Sequence, residues 1–384
     1  MSKIDARISP NSYMEQRRFS LGRRPITSAG MFLILAAGII WAFGRPYRPV
    51  EPLPASIVDM HCHVAGIGAG GSGCFISPEL RKSWKLGIFL RSFGVSEEEL
   101  NTKGDRVIPD RISELLAESR YVRKAVILAL DGIIGKDGSL DAKRTQIYVP
   151  NEFVAGAVGR HANLLFGASV NPYRKDALER LEWAKNNGAV LVKWIPSIME
   201  IDPSDARLKP FYLKLVELGL PLLTHAGRER AFSSSSDAYC DPDRLRLPLT
   251  LGVKVIVAHI ASTGKYDGES SSDRLARMMG EYPNLYSEIS SLTQLNKRFY
   301  LQEALTKPEF SGRLMYGSDF PLISTALVSP WYYFPRLTPG RMYSISRTQN
   351  PWDADVLLKR DLGTPADVFT RSGQFFLGGT AESR

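Results

Sequence analysis

The chain of 384 residues contains little cysteine. Its three cysteines are Cys62, Cys74 and Cys240, and no two of them form a Cys-x-x-Cys pair. So few cysteines, in an odd number, do not build the dense disulfide framework of a small secreted scaffold. The fold therefore does not depend on disulfide bridges, whichever compartment the protein occupies.

Charged side chains are absent from Ile26 to Gly44, and Met31 to Phe43 is almost entirely apolar. This length approaches the ~20 residues that cross a bilayer as a helix. Because cytoplasmic flanks are rich in Lys and Arg, the arginines before the segment predict a cytoplasmic N-terminus and an external remainder. These arginines are Arg17, Arg18, Arg23 and Arg24.

Three interpretations of this apolar segment are open. We favour a retained single-span anchor, because a lead of about 25 residues is long for a secretory signal. Cleavage after Ala42-Phe43-Gly44 would instead make the segment a signal peptide. The third interpretation is a buried helix of a soluble protein, which the flanking Arg-rich and Pro-rich stretches disfavour.

The domain organisation follows from this pattern. Residues 1–25 form a basic cytoplasmic lead, and 26–44 form the transmembrane anchor or signal segment. Residues 45–54 contain four prolines and read as an extended linker before a folded domain over 55–384. The expected location is membrane-anchored with the domain outside the cytoplasm, or exported if the segment is cleaved.

The folded domain has only a small excess of positive charge. Residues 1–50 hold eight Lys or Arg and two acidic residues, which accounts for +6 of the total net charge of +9. The remaining 334 residues therefore carry about +3 in net charge, well short of the basic surface that nucleic acid attracts. A nucleic-acid partner is not expected.

Histidine is also scarce, and the five histidines are not scattered. His61 and His63 end the apolar run Ser56–Met60, and residues two apart on a strand point to the same face. Cys62 points the other way, towards an outer helix. His225 and His259 each close another apolar run, and only His161 lies elsewhere.

Eight apolar runs alternate with helical patterns over about 270 residues. Such alternation predicts a (β/α)8 TIM barrel of class α/β, preceded by the single N-terminal hydrophobic helix. Active sites in these barrels lie at the carboxyl ends of the strands, where four of the histidines and Asp319 fall. The predicted strands are Ser56–Met60, Lys124–Leu130, Leu164–Val170, Ala189–Trp194, Leu220–His225, Val253–His259, Asn284–Ile289 and Leu314–Ser318.

The order of these motifs resembles the amidohydrolase superfamily. The resemblance rests on Asp-x-His-x-His at 59–63, on His225 and His259, and on Gly-Ser-Asp-Phe-Pro at 317–321. The last motif resembles the corresponding motif of the branch that includes aminocarboxymuconate-semialdehyde decarboxylase and related decarboxylases and lactonases. The resemblance covers roughly residues 55–325.

The resemblance implies roles for these residues. His61, His63, His225 and Asp319 correspond to ligands of a divalent metal, with Zn²⁺ the most suitable ion for such donors. Asp319 and His259 correspond to the catalytic proton carriers. One ion is favoured; a second ion would involve His259 and a carbamylated Lys193, which otherwise contacts substrate. Further residues expected to line the substrate pocket are Trp194, Arg228 and Glu229.

The function implied is that of a metal-dependent hydrolase, in which metal-activated water attacks a carbonyl, ester or lactone centre of a small molecule. Non-oxidative decarboxylation of an unsaturated or aromatic acid is the first alternative. A catalytically silent, membrane-tethered barrel is the second. Neither the substrate nor the oligomeric state follows from the sequence.

Overall fold

The computed structural model describes residues 28–43, 53–54, 56–228 and 236–378. The chain divides into two units, Met1–Arg45 and Pro46–Arg384. The first contains one described helix, Ser28–Phe43, whose large apolar side chains from Met31 to Ile40 are exposed. No helix in the described ranges is both long and apolar enough to cross a bilayer.

The predicted spanning helix over 26–44 is therefore not confirmed, since the helix found there is 16 residues long. The basic lead 1–25 and most of the linker 45–54 lie outside the described residues. The predicted domain boundaries stay predictions.

The second unit is built on an eight-stranded parallel sheet that confirms the predicted barrel. Its strands follow chain order around the barrel, from β1 to β8. Hydrogen bonds between the first strand and residues 316–320, which follow the last strand, nearly close the ring, including His63 N–H to the Phe320 carbonyl at 2.8 Å. The strands are β1 Ile57–His63, β2 Val122–Leu128, β3 Leu164–Ala168, β4 Ala189–Trp194, β5 Leu222–Thr224, β6 Val255–Val257, β7 Leu285–Glu288 and β8 Leu314–Met315.

Helices surround the sheet in the described part of the second unit. Short antiparallel pairs join Phe75–Ile76 to Ile147–Tyr148 and Lys265–Tyr266 to Glu269–Ser270. The α-helices are Pro78–Arg81, Trp84–Phe93, Glu97–Lys103, Val107–Glu118, Asn151–Arg160, Ala177–Asn186, Pro196–Met199, Lys209–Glu217, Arg246–Thr250, Ser271–Glu281, Tyr300–Thr306, Pro339–Ser346, Pro351–Asp361 and Ala366–Leu377.

Two apolar layers hold this architecture together. One fills the barrel interior and includes Met60, Leu128, Leu223 and Met315. The larger layer lies between the sheet and the helices, and Cys62 is fully buried in it, as its position opposite the histidines predicts. Each large apolar side chain buried in these layers stabilises the fold by roughly 1.5–3 kcal/mol.

Buried polar contacts fix the turn that follows β8. Asp59 Oδ1 accepts hydrogen bonds from the backbone N–H of His61 at 3.0 Å and of Ser318 at 2.9 Å. On the other side, Lys359 Nζ donates to the Gly317 carbonyl at 2.8 Å. Because backbone and side chains are held from both sides, the residue after Ser318 has a defined position at the barrel mouth.

Candidate metal centre

Three side chains converge at the junction of β1 and β8. One ligand atom from each of His61, His63 and Asp319 lies within 4.8 Å of the others. The two histidine Nε2 atoms are 3.2 Å apart, and Asp319 Oδ1 lies 3.0 Å from the Nε2 of His63 and 3.7 Å from that of His61. Lone-pair donors so close together are the arrangement a cation stabilises.

Electrostatics keep these groups in the form that binds metal. Burial and the neighbouring Lys193 ammonium lower the pKa of His61 to about 4, so its imidazole is neutral at neutral pH. Burial opposes ionisation of Asp319, but the adjacent histidines outweigh it and hold the pKa of Asp319 well below its usual range. Neutral imidazoles and a carboxylate are the forms in which these side chains coordinate a metal.

The Asp319 carboxylate is held by residues that sequence reasoning missed. Asp319 has a positive φ of 63°, and its N–H donates to the His61 carbonyl at 2.8 Å. Ser291 Oγ donates to Asp319 Oδ2 and accepts from Gln294 Nε2 at 2.7 Å. With Oδ2 bound in this way, Oδ1 is the oxygen that faces the histidines.

His259 and His225 form a second pair next to the first. The His259 ring stacks near that of His61, with centroids 6.4 Å apart, and the His225 ring meets His259 edge-on at 4.8 Å. Burial, with the charge of Lys297, holds the pKa of His259 well below its usual range. Its Nδ1 is buried and has no hydrogen-bond partner within the part of the chain that the structure describes.

The tight group therefore omits one predicted ligand, since the structure puts His225 against His259. Lys193 lies beside the group of His61, His63 and Asp319, since its Nζ is 3.1 Å from His61 Nε2. Its side chain is buried. Both lie at the barrel mouth, as predicted. Their roles as ligands stay predictions.

Trp194, which was predicted to line the substrate pocket, lies in the outer layer of the barrel. Trp194 packs against Phe211 and Tyr212 and donates its Nε1–H to the Val170 carbonyl at 2.7 Å. Because neighbouring strand residues point to opposite faces, Trp194 lies outside the barrel while Lys193 lies inside. The prediction that Trp194 lines the pocket is wrong.

The two other predicted pocket residues follow β5. Arg228 is exposed and pairs with Asp237 at 3.0 Å. Glu229 lies outside the described residues. Their pocket roles stay predictions.

Glu288 at the end of β7 is a further residue that sequence reasoning missed. It is fully buried, and its Oε1 is 3.1 Å from His61 Nδ1. The available signal was an acidic residue near the end of a predicted strand, Asn284–Ile289, at the same end of the barrel as the histidines.

The donor set fits a divalent metal. It offers two imidazole nitrogens and one carboxylate oxygen, which suit Zn²⁺ and similar ions. Three protein ligands leave coordination positions for water or substrate, as catalytic zinc sites require. The buried, unpartnered Nδ1 of His259 supplies a further polar atom beside the cluster.

Comparison with known proteins gives one family and several distant folds. The sequence pattern of a family described as amidohydrolase matches residues 58–338. No curated protein matches the sequence of this chain.

Three solved structures with a similar fold are distant from this chain in sequence. An uncharacterised TIM-barrel protein of Bordetella bronchiseptica is 16% identical, with a TM-score of 0.48, over 80% of this chain and 99% of that one. Dihydroorotase of Campylobacter jejuni is also 16% identical, with a TM-score of 0.42, over 86% and 87% of the two chains. For 5-carboxyvanillate decarboxylase of Sphingomonas paucimobilis, identity is 11% and the TM-score 0.41, over 84% and 99%. Similarity at this level says nothing about the reaction.

Proposed function

The chain belongs to the amidohydrolase family, and we propose that it is a metal-dependent hydrolase acting on a small molecule at a carbonyl, ester or lactone centre. The observation that carries this proposal is the convergence of His61, His63 and Asp319 within 4.8 Å at the barrel mouth. A divalent ion bound there supplies Lewis acidity, which polarises a carbonyl and acidifies water.

The protein's own groups complete the chemistry. Asp319 is ionised and faces the histidines through Oδ1, so it can take a proton from the attacking water and pass it to the leaving group. His259 is neutral, and its free Nδ1 is available for a hydrogen bond to the substrate. Burial around both groups excludes bulk water and strengthens these interactions.

We propose Zn²⁺ as the ion and one ion per chain. Support comes from the compact donor set, which contains two nitrogens and one oxygen. His259 and Lys193 lie beside this set and are the residues available for a second ion. A binuclear site would need Lys193 in its carbamylated form.

Decarboxylation of an unsaturated or aromatic acid is the second candidate. Lys193 favours it, because a buried amine 3.1 Å from His61 Nε2 can pair with a substrate carboxylate. Asp319 or His259 would take up a proton from water and deliver it to the carbon that loses carbon dioxide.

Metal analysis of the purified full chain tests the site. We expect about one zinc per chain in the wild type and a loss of that zinc in the His61→Ala/His63→Ala variant. The matched control is His161→Ala, since His161 pairs with Asp110 away from the cluster and should leave the zinc unchanged. A folded wild type without metal after reconstitution would favour the silent barrel.

Solvent isotopes distinguish the two reactions. A panel of aryl esters, lactones, amides and unsaturated or aromatic acids would be incubated with the zinc-loaded protein in H₂¹⁸O and in D₂O. Hydrolysis incorporates ¹⁸O into the product. Decarboxylation releases carbon dioxide and incorporates deuterium at a carbon of the product, which gains no ¹⁸O. That result would contradict the proposal that the protein is a hydrolase.

The membrane location is also a proposal. It is supported by the uncharged run from Ile26 to Gly44 and by the arginines that precede it. Fractionation of expressing cells with N-terminal sequencing tests it. A membrane-bound chain that keeps its N-terminus supports the anchor, a chain that begins near residue 45 supports cleavage, and a full-length soluble chain contradicts both.

A further inference from the structure

The Glu288 carboxylate touches two site histidines at once, and we propose that Glu288 is a positioning residue that fixes the tautomer of His61 and thereby sets the metal affinity of the site. This inference rests on the proposed metal-dependent function. It concerns a residue that binds neither metal nor substrate directly, since its contacts are with the histidines and with Ser290.

Every described polar contact of Glu288 comes from a donor or a titratable ring. Oε1 lies 3.1 Å from His61 Nδ1, 2.8 Å from the backbone N of His259 and 2.8 Å from Ser290 Oγ. Oε2 accepts the backbone N–H of Ser290 at 2.5 Å. Oε1 therefore accepts from two unambiguous donors and Oε2 from a third, which is the arrangement of a carboxylate.

The contacts of His61 Nδ1 determine where the ring carries its proton. Its two neighbours are Glu288 Oε1 and Ser290 Oγ, at 3.1 and 3.2 Å. The Ser290 hydroxyl donates its proton to Glu288, so both neighbours present lone pairs to Nδ1. The proton of neutral His61 therefore belongs on Nδ1.

The tautomer leaves a lone pair on the nitrogen that faces the metal site. His61 Nε2 points at His63 Nε2, 3.2 Å away, and accepts from Lys193 Nζ at 3.1 Å. A carboxylate that holds the far nitrogen of a metal-binding histidine orients the ring and raises its basicity. Loss of such a partner typically costs 10–100-fold in metal affinity.

The same carboxylate holds the turn that carries His259. His259, Ile260 and Ala261 have positive φ values of 38°, 50° and 49°, which is strained backbone for residues other than glycine. Glu288 Oε1 accepts the His259 N–H, and Ser287 Oγ accepts the Ile260 N–H at 3.1 Å. Two adjacent residues of β7 therefore keep the strained turn in place.

The Glu288→Gln variant removes the negative charge of the side chain and keeps its shape, so it tests the role of the charge. A glutamine fills the same space, but its NH₂ group must face either the Ser290 N–H or His61 Nδ1. In the first orientation two donors oppose each other. In the second, the NH₂ group opposes the His259 N–H. It also donates to Nδ1, moves the ring proton to Nε2 and blocks the metal-facing nitrogen.

The test uses the full chain and two readouts. Nitrogen-15 NMR of the metal-free wild type reports which nitrogen of His61 is protonated, with His61→Ala assigning the signal. Titration with Zn²⁺ against a competing chelator then gives the affinity of wild type, Glu288→Gln and Asp353→Asn. Asp353 is the matched control, because it is a buried carboxylate that, among the residues the structure describes, accepts hydrogen bonds from Ser119 and Arg120, away from the site.

We expect the Nδ1–H tautomer in the wild type, a shift towards Nε2–H in Glu288→Gln, and a 10–100-fold loss of zinc affinity in that variant alone. A wild-type His61 protonated on Nε2 would overturn the inference, and this result needs no variant to fold. Equal zinc affinity of the wild type and Glu288→Gln would overturn it as well. A wild type with the Nδ1–H tautomer that binds no zinc would instead contradict the proposed function.

Discussion

At the scale of single residues, the direction of a side chain decides its role. The alternation of a strand puts His61 and His63 on one face and Cys62 on the other, and this could be predicted because period two is a property of any strand. The same rule assigns Lys193 to the interior and Trp194 to the outer layer. Trp194 was predicted to line the pocket because it ends its strand. The end of a strand places a residue at the barrel mouth, but it does not decide which face the side chain occupies.

Glu288 and Ser291 show what the sequence could not reveal. Both follow or end β7, but Ser291 is bound to Asp319 only because its backbone adopts a positive φ of 59°. A hydrogen bond between residues 28 positions apart depends on local backbone conformation and on the spacing of β7 and β8. Neither quantity can be read from residue types alone.

Asp319 is the residue whose loss should matter most to turnover. We expect Asp319→Asn to lower kcat/KM by roughly 10²–10⁴-fold on any compound of the panel that is turned over, because the proton carrier is lost. Ser291→Ala keeps the carboxylate and removes only its anchor, so we expect a smaller loss of about tenfold. Steady-state kinetics checks both, and equal losses in the two variants would contradict the assigned roles.

Lys193 tests the number of metal ions. We expect Lys193→Met to keep about one zinc per chain, because a mononuclear site takes its ligands from His61, His63 and Asp319. Metal analysis with and without bicarbonate measures this. About two ions in the wild type, falling to one in the variant and depending on bicarbonate, would show that Lys193 bridges a binuclear centre.

At the scale of elements, the loops after β5 and β6 carry His225 and His259, and a charged network joins them. Arg274, in the helix Ser271–Glu281, is buried among carboxylates from both loops. The nearest carboxylates are those of Asp241 at 2.9 Å and Glu269 at 3.0 Å. The network therefore links the two loops that carry these histidines.

Removal of the central arginine should destabilise the protein. We expect Arg274→Ala to lower the free energy of unfolding by about 3 kcal/mol, because the buried guanidinium and its ion pairs with the partly buried Asp241 and Glu269 are lost. The matched control is Arg277→Ala, which removes an arginine that pairs with Asp243 and Glu269 but is 42% exposed, and we expect a loss below about 1 kcal/mol. Urea unfolding measures both, and similar losses would show that burial of Arg274 is unimportant.

Element positions were easier to predict than element lengths. The strand Ala189–Trp194 agrees with its predicted bounds, because an apolar run and the glycine before it mark them clearly. The strands β5 and β6 are three residues each, shorter than the apolar runs that predicted them. Apolar residues on either side of these strands, such as Leu220, Val253 and Ala258, are buried as well, so a hydrophobic pattern does not distinguish them from strand residues.

At the scale of the whole molecule, the barrel and the site at its mouth were predictable because strand order fixes which strand ends meet. Eight alternating units close into one ring, so β1 and β8 become neighbours although 250 residues separate them. The position of His225 was less predictable, because the radial depth of each side chain depends on packing inside the ring. Its ring contacts His259, while His61, His63 and Asp319 form the tight group.

The central claim is that these three residues hold the catalytic metal. Anomalous diffraction at the zinc absorption edge, from crystals of the full chain grown with Zn²⁺, tests it most directly. We predict one strong peak at the barrel mouth, bonded to His61 Nε2, His63 Nε2 and Asp319 Oδ1. A zinc peak bound elsewhere, with none at this cluster, would contradict the account.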